Sequence, residues 1–454
     1  MAATVLLGPF VALVAVAIAA VILAIALRPQ MSVYLVILIG LTAYPAFVPY
    51  QVTLGSFTIF VYEPVLFIAA VWSFVLLRGR KGIVGRTCVL LGLVAIWGAA
   101  GIAVGNPVIE VIGDARGLVN VALFAMVAAS IFGTIYERTS LKVLLASLWV
   151  SAVVTLLSSL VGFPVAGRRE DASLVLVDGG ATASGATRLL TAATEISVLV
   201  LCVAIALAIT GKVRLNRLVP YIIPATIITA LGFSRNSVLA IGVAVILAFL
   251  VARTSIRSVA KIIGAVLAIT LLFILGAAAG APGAAYVSDQ VTAFTGRVLN
   301  GLSSSTVASD SSALARQSEN AYAGAAFAES PIVGHGLGYA YRPAVGEAGT
   351  FSATKGQYYA HNFWLWTLVK SGVLGLMAIL ICFLAPVLVA LRTSDLIAKA
   401  LAAAMIGLLV SMFFAPFVND PGNGGSLAVG ALLGATWGSI AAVRSHSRVL
   451  TDAV

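Results

Sequence analysis

The sequence predicts an all-α fold: a polytopic membrane helical bundle of about 12–14 transmembrane helices with one large outer loop that contains short helices. Three observations support this prediction. Hydrophobic residues make up 61% of the 454 residues and charged residues only 9%, whereas a soluble globular domain has roughly 45–50% and about 25%. Apolar stretches long enough to cross a bilayer recur along the chain, and basic residues cluster between them. Lipid must therefore be the main solvent of this chain.

About thirteen apolar stretches have the length of about 17–25 residues that a membrane-spanning helix needs. They occupy residues 4–27, 31–49, 60–77, 88–104, 113–133, 141–163, 194–211, 218–233, 236–252, 259–279, 372–391, 396–418 and 425–443. These stretches divide the chain into three parts. We expect an N-terminal transmembrane bundle over 1–279, a large extracytoplasmic loop over 280–371 and C-terminal transmembrane helices over 372–454.

The basic residues indicate the orientation of the bundle. Most of the 27 lysines and arginines lie in alternate connections, for example at Arg78, Lys142 and Arg253. Cytoplasmic loops are enriched in such residues, so we expect these connections and the C-terminus to be cytoplasmic. The same bias explains the net charge of +11, and nucleic acid is therefore not an expected partner.

Two connections on the opposite side are long. Residues 164–193 are rich in Gly, Ala and Ser, and residues 280–360 form the only stretch large enough for an extramembrane unit. Within the latter, we expect a flexible linker over 303–312 and a short helix over 312–328 that ends before Pro331. This larger segment is the expected working surface of the protein.

Histidine is the side chain best suited to take a proton from a hydroxyl near neutral pH, because its ordinary pKa is about 6.5. The chain has three, His335, His361 and His446. His446 lies among basic residues and needs no chemical role. His361 precedes Asn362 and an aromatic run that leads into a membrane helix, and this position suggests a general base. The alternative is that His361 and Asn362 only cap this helix at the lipid interface.

A glycine-rich turn precedes His361. Gly334, Gly336 and Gly338 occur at alternate positions, and Tyr339 follows them. Such glycines allow backbone amides to approach the phosphate or sugar oxygens of a ligand. A tight turn without a ligand is the alternative. Tyr339 also belongs to a group of aromatic residues typical of an interfacial belt, with which sugar stacking on one or two rings is compatible.

Together these features resemble the O-antigen ligase and O-antigen polymerase family. The resemblance covers residues 316–380 and rests on an arginine-led helix, the turn Pro331-Ile332-Val333-Gly334-His335-Gly336-Leu337-Gly338, the pair His361-Asn362, and the run Gly372-Val373-Leu374-Gly375-Leu376. Two residues depart from the family pattern. Lys370 replaces an acid that family members often carry, and His335 lies within the glycine turn.

The resemblance implies a bacterial glycosyltransferase of the plasma (inner) membrane. Such an enzyme moves a glycan from a polyprenyl (undecaprenyl) diphosphate carrier to an acceptor hydroxyl at the outer face. It also implies that His361 is the general base, that Asn362 and the glycine turn contribute to substrate binding, that arginines hold the diphosphate, and that no metal or other cofactor is used. The outer segments contain no Asp-x-Asp motif or acidic cluster typical of a divalent-metal site.

Four arginines are placed to neutralise a diphosphate leaving group, because guanidinium groups bind phosphate oxygens bidentately and stay charged. We expect Arg188 and Arg316 to act in the catalytic site, and Arg116 and Arg235 to bind substrate. The alternative is that nearby acids neutralise these arginines. The candidate pairs are Arg116 with Asp114 or Glu110, Arg316 with Glu319, and Arg188 with Glu195.

Two classes of function remain open at this point. The first is a glycosyltransferase, of ligase type in preference to polymerase type, whose partners are a polyprenyl diphosphate-linked glycan, a lipid or glycan acceptor, and membrane lipids. The second is a secondary transporter or flippase for a glycan or lipid. A transporter should have broken helices or ionisable residues near the bilayer midplane, and Glu63 before Pro64 is a candidate.

Overall fold

The computed structural model describes residues 23–54, 57–171, 186–252, 283–299, 311–345, 355–419, 422 and 424–451. Within these residues, seven helices are long and apolar enough to cross a membrane, and four more apolar helices have 10–17 residues. The protein is therefore a polytopic membrane protein with an all-α bundle, as the sequence predicts.

The helices and strands follow each other along the chain in three groups. The first group is α1 (Met31–Gly40), β1 (Gln51–Leu54), β2 (Phe57–Phe60), α2 (Tyr62–Leu76), α3 (Lys81–Ala103), α4 (Val108–Ile131) and α5 (Ile135–Val161). The second is β3 (Arg168–Asp171), β4 (Thr187–Leu190), α6 (Ala192–Thr210), α7 (Leu215–Leu231) and α8 (Arg235–Ala252). The third is α9 (Ala284–Phe294), α10 (Ser311–Glu329), α11 (Phe363–Arg392), α12 (Leu396–Ser411) and α13 (Gly425–Thr451).

The predicted span over 31–49 is wrong in its second half. Helix α1 ends at Gly40, and Pro45 and Pro49 follow before the antiparallel β1–β2 hairpin. Proline lacks the amide that would continue a helix, and the alternating residues of 51–60 favour strands. A second hairpin, β3–β4, lies in the outer segment where the sequence analysis predicts no element.

Close packing of the bundle depends on small residues. A Cβ on Gly430 of α13 would lie 2.8 Å from the carbonyl oxygen of Val121, and one on Gly434 would lie 2.8 Å from the Ala128 side chain, both on α4. Such contacts let two helix backbones approach closely, which drives helix association where lipid removes the hydrophobic advantage of larger side chains. Helix α4 is thereby held against α13 in the middle of the bundle.

The large loop contains the expected short helix. Helix α10 spans Ser311–Glu329, where the sequence predicts a helix over 312–328, and it packs against α11. Helix α11 begins at Phe363, before the predicted span over 372–391, and Gly372 interrupts it with a φ of 63° and a ψ of −169°. The helix therefore has two halves.

Some predicted segments lie outside the residues that the structure describes. The predicted spans over 4–27 and 259–279 and the linker over 303–312 lie wholly or largely outside the described residues. The division of the chain at 279 and 371 stays a prediction, although α11 runs across its second boundary.

Candidate active site

The His361 side chain lies beside a buried carboxylate. Its Nδ1 is 2.8 Å from Oε2 of Glu319, and its backbone amide donates to the same oxygen at 3.2 Å. The Glu319 side chain is 6% exposed and that of His361 is 35% exposed. Because an ionised carboxylate only accepts hydrogen bonds, it favours the proton on Nδ1 and leaves the lone pair on Nε2. Nε2 makes no hydrogen bond within the described residues, so it is available to accept a proton.

Glu319 is also held by Arg342. The Nη1 atom of Arg342 lies 3.0 Å from Oε1 of Glu319, and its Nε donates to the carbonyl of Gly356. Burial alone would raise the pKa of Glu319, but hydrogen bonds from His361 and the positive charges of His361 and Arg342 outweigh it and lower this pKa below its ordinary value. Glu319 therefore stays ionised and orients the imidazole.

The pattern of α10 explains why Glu319 points into this site. Ala323 and Ala326, four and seven residues further along the helix, are buried together with Glu319. Residues at this spacing share one face of a helix. A carboxylate on a buried face requires cationic partners, and His361 and Arg342 supply them.

Asn362 fixes the backbone next to His361. Its side chain accepts hydrogen bonds from the amides of Trp364 and Leu365, both at 3.1 Å, and so caps the N-terminus of α11. The amide of Phe363 donates to the carbonyl of Met412 at 3.0 Å. Asn362 is therefore the cap of α11 and His361 is not, and the substrate-binding role expected for Asn362 stays a prediction.

The glycine turn, residues 331–338, fills the break in α11. The amides of Val373 and Leu374, which open the second half of the helix, donate to the carbonyls of Pro331 and Ile332 at 2.9 and 3.2 Å. A Cβ on Gly372 would lie 2.6 Å from the backbone nitrogen of Val333, so only glycine fits at the break. The turn and the broken helix therefore form one packed unit, which explains why the two sequence motifs occur together.

The amides of the glycine turn are used within the protein. Gly334 donates to the carbonyl of Ser330 at 3.1 Å, Gly336 to that of Lys370 at 2.9 Å, and Gly338 to Oδ2 of Asp114 at 2.6 Å. All three glycines have positive φ, between 69° and 79°. In this structure Gly334, Gly336 and Gly338 therefore allow a tight turn against neighbouring backbone, the alternative considered for the motif, and their contribution to substrate binding stays a prediction.

Lys370 forms a buried ion pair with Asp114 of α4. Its Nζ lies 2.7 Å from Oδ2 of Asp114 and donates to the carbonyl of Tyr339 at 2.7 Å. The rings of Tyr341, Tyr358 and Trp366 surround the ammonium group at 5.6–5.8 Å. Only 1% of the lysine side chain is exposed, so this pair connects the loop to the bundle and cannot act on a substrate directly.

Tyr339 and His335 support the turn. The two rings stack with centroids 4.0 Å apart, and Nε2 of His335 lies 2.8 Å from the carbonyl oxygen of Ala326 on α10. Asn106 donates to the carbonyls of His335 and Leu337 at 3.0 and 2.9 Å. His335 thus joins α10 to the turn, and the Tyr339 ring both stacks on His335 and packs against the hydrophobic core.

Arg188 lies on β4 opposite Glu170 of β3. Its Nη1 donates to Glu170 at 2.8 Å and its Nε to the carbonyl of Gly232 at 3.0 Å. The partner considered from the sequence, Glu195, is therefore not the observed one. Arg168 also pairs with Glu170, at 2.6 Å, so two guanidinium groups share this carboxylate and the trio keeps a positive charge.

Arg235 is the first residue of α8 and lies close in the chain to Gly232, which binds Arg188. Its neighbour Asn236 donates to the carbonyl of Phe414 at 3.0 Å, two residues beyond the Met412 carbonyl that holds the start of α11. Gly232, whose carbonyl binds Arg188, lies three residues before Arg235. A short series of direct contacts therefore links Arg188 and Arg235 to the segment that carries His361.

Arg116 belongs to a different cluster. It forms a bidentate ion pair with Glu63, and its guanidinium carbon lies 4.6 Å above the Phe60 ring. The pairings with Asp114 or Glu110 considered from the sequence are therefore wrong. Because residues two apart point about 200° apart around a helix, Arg116 faces α2 while Asp114 faces the glycine turn. The structure does not bring Arg116 to His361.

Arg316 lies on α10, one helical turn before Glu319, and its side chain is half-buried. Glu319, the partner considered for it, is bound instead by His361 and Arg342. Arg316 is thus on the same helix as Glu319, and its contribution to substrate binding stays a prediction.

Three residues of the site were not foreseen. Arg342 and Glu170 have no role in the sequence analysis, and Glu319 enters it only as a partner for Arg316. The spacing of Glu319 with Ala323 and Ala326 could have predicted a buried acid. Within the described part of the chain, no three His, Cys, Asp or Glu side chains are grouped in a way that could hold a metal ion.

Comparison with known proteins agrees with the resemblance noted from the sequence. Residues 220–380 match the family model of the O-antigen ligase. This region contains most of α7, all of α8 to α10, and α11 past its break, with His361, Glu319 and the glycine turn. A comparison with curated proteins gives no match. Residues 220–380 therefore match an O-antigen ligase domain, and the family resemblance expected from the loop motifs is confirmed for this region.

Proposed function

We propose that the protein transfers a glycan from a polyprenyl diphosphate carrier to an acceptor hydroxyl, with His361 as the general base. The hydrogen bond of His361 Nδ1 to buried Glu319 carries this proposal. It combines an accessible imidazole with a carboxylate that stabilises the imidazolium form, as base catalysis requires. Glycan transfer of the ligase type agrees with the family match.

In this mechanism the acceptor hydroxyl attacks the anomeric carbon of the donor sugar. Its proton passes to Nε2 of His361 as the new glycosidic bond forms, and the bond from the sugar to the diphosphate breaks, so the polyprenyl diphosphate leaves with the electron pair. Glu319 and Arg342 stay in place during this step. Their role is to hold the imidazole in one orientation, so that Nε2 is aligned for proton transfer when the acceptor is bound.

Arg188 is the best-supported candidate for the diphosphate. Two of its nitrogen atoms are engaged by Glu170 and Gly232, which leaves Nη2 for phosphate oxygens. Arg235 and Arg316 complete the proposed cationic site. We leave Arg116 out of it, because Glu63 neutralises this arginine on the opposite side of α4. Guanidinium groups supply the charge needed by the leaving group, so we expect no metal requirement.

The charge pattern orients the enzyme. The start of α4, which contacts the glycine turn, lies at the opposite end of this helix from α5, whose first turns carry Arg138 and Lys142. With the basic connections and the C-terminus cytoplasmic, the site faces the extracytoplasmic side of a bacterial plasma membrane. The donor is a polyprenyl diphosphate-linked glycan, and a lipid or a different glycan is the acceptor.

A transporter or flippase finds less support. Glu63, the candidate midplane carboxylate, is paired with Arg116. Helix α11 is broken at Gly372, as helices in transporters are, but the carbonyls of Pro331 and Ile332 already bind the amides exposed at this break. The break therefore serves packing of the loop.

The test uses the purified full-length protein in detergent with a polyprenyl diphosphate oligosaccharide and candidate acceptors. We expect transfer of one glycan to a different acceptor, in the presence of a chelator. Arg188→Lys keeps the charge and loses the planar fork, and should lower kcat by about 10–10²-fold without a change in Tm. Arg168→Lys, on the same carboxylate but 71% exposed, is the matched control and should be nearly normal.

Three outcomes would count against the proposal. Movement of the lipid-linked glycan across a vesicle membrane without any transfer would favour the flippase. A ladder of carrier-linked chains would indicate a polymerase. Full activity of Arg188→Lys would remove this arginine from the site.

A further inference from the structure

The bundle contains a second candidate site far from His361. A cavity of about 520 Å³ lies among α1, α4, α5, α6, α7, α12 and α13. On α4 it reaches Ala128, fourteen residues from Asp114, which corresponds to about 21 Å of helix. The cavity therefore lies at the end of the bundle opposite to the candidate active site.

The interior of this cavity is apolar. Its walls include Ile37, Phe124, Leu199, Leu401 and Leu432. Apolar space of this size gives water no hydrogen-bond partners, and leaving it empty is destabilising. The volume falls within the range of about 300–1,000 Å³ that is typical of pockets for small ligands. A hydrocarbon chain is the ligand chemistry that these walls fit.

The mouth of the cavity is polar and carries both signs of charge. Glu137 at the start of α5 and Arg217 at the start of α7 line it, and neither forms an ion pair within the described residues. Between them, the Oγ of Ser140 lies in the wall without a hydrogen-bond partner, although only 4% of this residue is exposed. A buried hydroxyl without a partner among the described residues is available to a polar group in the cavity.

We propose that this cavity binds one phospholipid with an ethanolamine headgroup. One acyl chain occupies the apolar interior, Arg217 binds the phosphate, Glu137 binds the ammonium group, and Ser140 donates to an ester carbonyl. An apolar chain with an anion and a cation at one end matches these three features together. A sugar lacks the apolar part, and an anionic lipid lacks a partner for Glu137.

This site is independent of the proposed catalysis, because no residue of the His361 site lines it. In the membrane orientation given above, its mouth opens towards the cytoplasmic leaflet. The bound lipid would fill the cavity that α12 forms with α5 and α7, which contact each other through the bond from the Tyr221 hydroxyl to the carbonyl of Leu141 at 3.2 Å.

The test is native mass spectrometry of the full-length protein, purified and exchanged into nanodiscs containing phosphatidylethanolamine, phosphatidylcholine and phosphatidylglycerol with identical acyl chains. We expect one retained molecule of phosphatidylethanolamine. Glu137→Gln should reduce its preference over phosphatidylglycerol by about three- to tenfold, and Arg217→Gln should reduce retention of all three lipids by a similar factor. Glutamine still accepts the bond that Glu137 receives from the amide of Gly133 at 2.6 Å, so the fold is preserved.

Exposed basic residues nearby give matched controls. Lys142→Gln lies on α5 and Arg214→Gln three residues before Arg217, and neither side chain lines the cavity, so both should retain lipid normally. Ala431→Phe, which fills the cavity, should abolish retention. Equal retention of all three lipids, unchanged selectivity in Glu137→Gln, or an effect of Arg214→Gln as large as that of Arg217→Gln would overturn the proposal.

Discussion

Two pairs of a carboxylate and a basic side chain lie at the start of α11, and they differ in how much of the basic side chain is accessible. In the first, Glu319 binds His361, whose side chain is 35% exposed. In the second, Asp114 binds Lys370, whose side chain is 1% exposed. The lysine ammonium is bound by Asp114 and the Tyr339 carbonyl and is covered by aromatic rings. The imidazole of His361, in contrast, keeps Nε2 available.

The difference separates a chemical role from a structural one. Both carboxylates are buried, so burial alone does not identify the catalytic pair. Access to the basic nitrogen identifies the pair proposed to be catalytic, because a base must reach its substrate. The Lys370 pair instead fixes the glycine turn against α4. Held in this place, the turn binds α10, the helix of Glu319, through His335. The following predictions test this division of roles, from the largest expected effect to the smallest.

His361→Ala should remove catalysis and leave the fold intact. We expect a loss in kcat of about 10²–10⁴-fold, the usual contribution of a general base, with unchanged donor binding and a fall in Tm smaller than that of Lys370→Ala, because Arg342 still pairs with Glu319. The assay is glycan transfer by purified protein, combined with thermal unfolding in detergent. A loss of folded protein with normal specific activity in the remainder would instead show that His361 is structural.

Lys370→Ala should act mainly on stability. Removal of one partner from a buried ion pair costs about 3–5 kcal/mol, because the other charge is left uncompensated. We expect a large fall in Tm, partly recovered when Asp114→Leu is combined with Lys370→Met. Lys355→Ala breaks the half-exposed pair with Glu110 at 2.9 Å, which also joins the loop to α4, and is a matched control that should cost less than about 1 kcal/mol. Equal effects of the two lysine variants would contradict the structural role of Lys370.

The stability of the loop should depend on the ionisation of Glu319. Its pKa is lowered in the folded protein despite burial, because His361 and Arg342 favour the charged form. A lowered pKa means that the stabilisation is present above the ordinary carboxyl pKa of about 4.3 and is lost as the pH falls below it. We expect Tm to fall below about pH 4 in the wild type, and to fall less steeply in Glu319→Gln. Parallel curves for the two proteins would show that Glu319 is not held as described.

His335→Ala should have the smallest effect. It loses one hydrogen bond to Ala326 and the stack on Tyr339, which together are worth about 1–2 kcal/mol. We expect a modest fall in Tm and a reduction in kcat of less than about tenfold, measured in the same assays. A loss of activity as large as that of His361→Ala would mean that the wrong histidine is assigned.

The sequence predicts the parts of this protein that depend on local patterns. Helix α10 and most of the membrane helices follow from apolar periodicity and turn residues, and His361 follows from its place in the family motif. The partners of the charged residues do not. Glu319 meets Arg342 across 23 residues of chain, and Asp114 lies far from Lys370 along the chain, so only the packed fold brings them together.

The glycine turn shows the same limit from another side. Its spacing is compatible with ligand binding and with tight packing, and the choice depends on what surrounds it. In the folded protein the turn meets the break in α11 at Gly372, a contact that requires both segments at once. The β1–β2 hairpin is different: it lies between the predicted spans over 31–49 and 60–77, where the sequence analysis predicts no element, although the alternating residues of 51–60 favour strands.

The central claim, that Glu319 acts through His361, is tested most directly by a double-mutant cycle in the transfer assay. Hydrogen bonds to charged groups contribute about 1.5–3 kcal/mol, so Glu319→Gln alone should lower kcat by about 10–10²-fold. In the His361→Ala background the same change should have almost no further effect on kcat, since the group it positions is already gone. If the two changes instead lower kcat multiplicatively, Glu319 and His361 act separately and the account is contradicted.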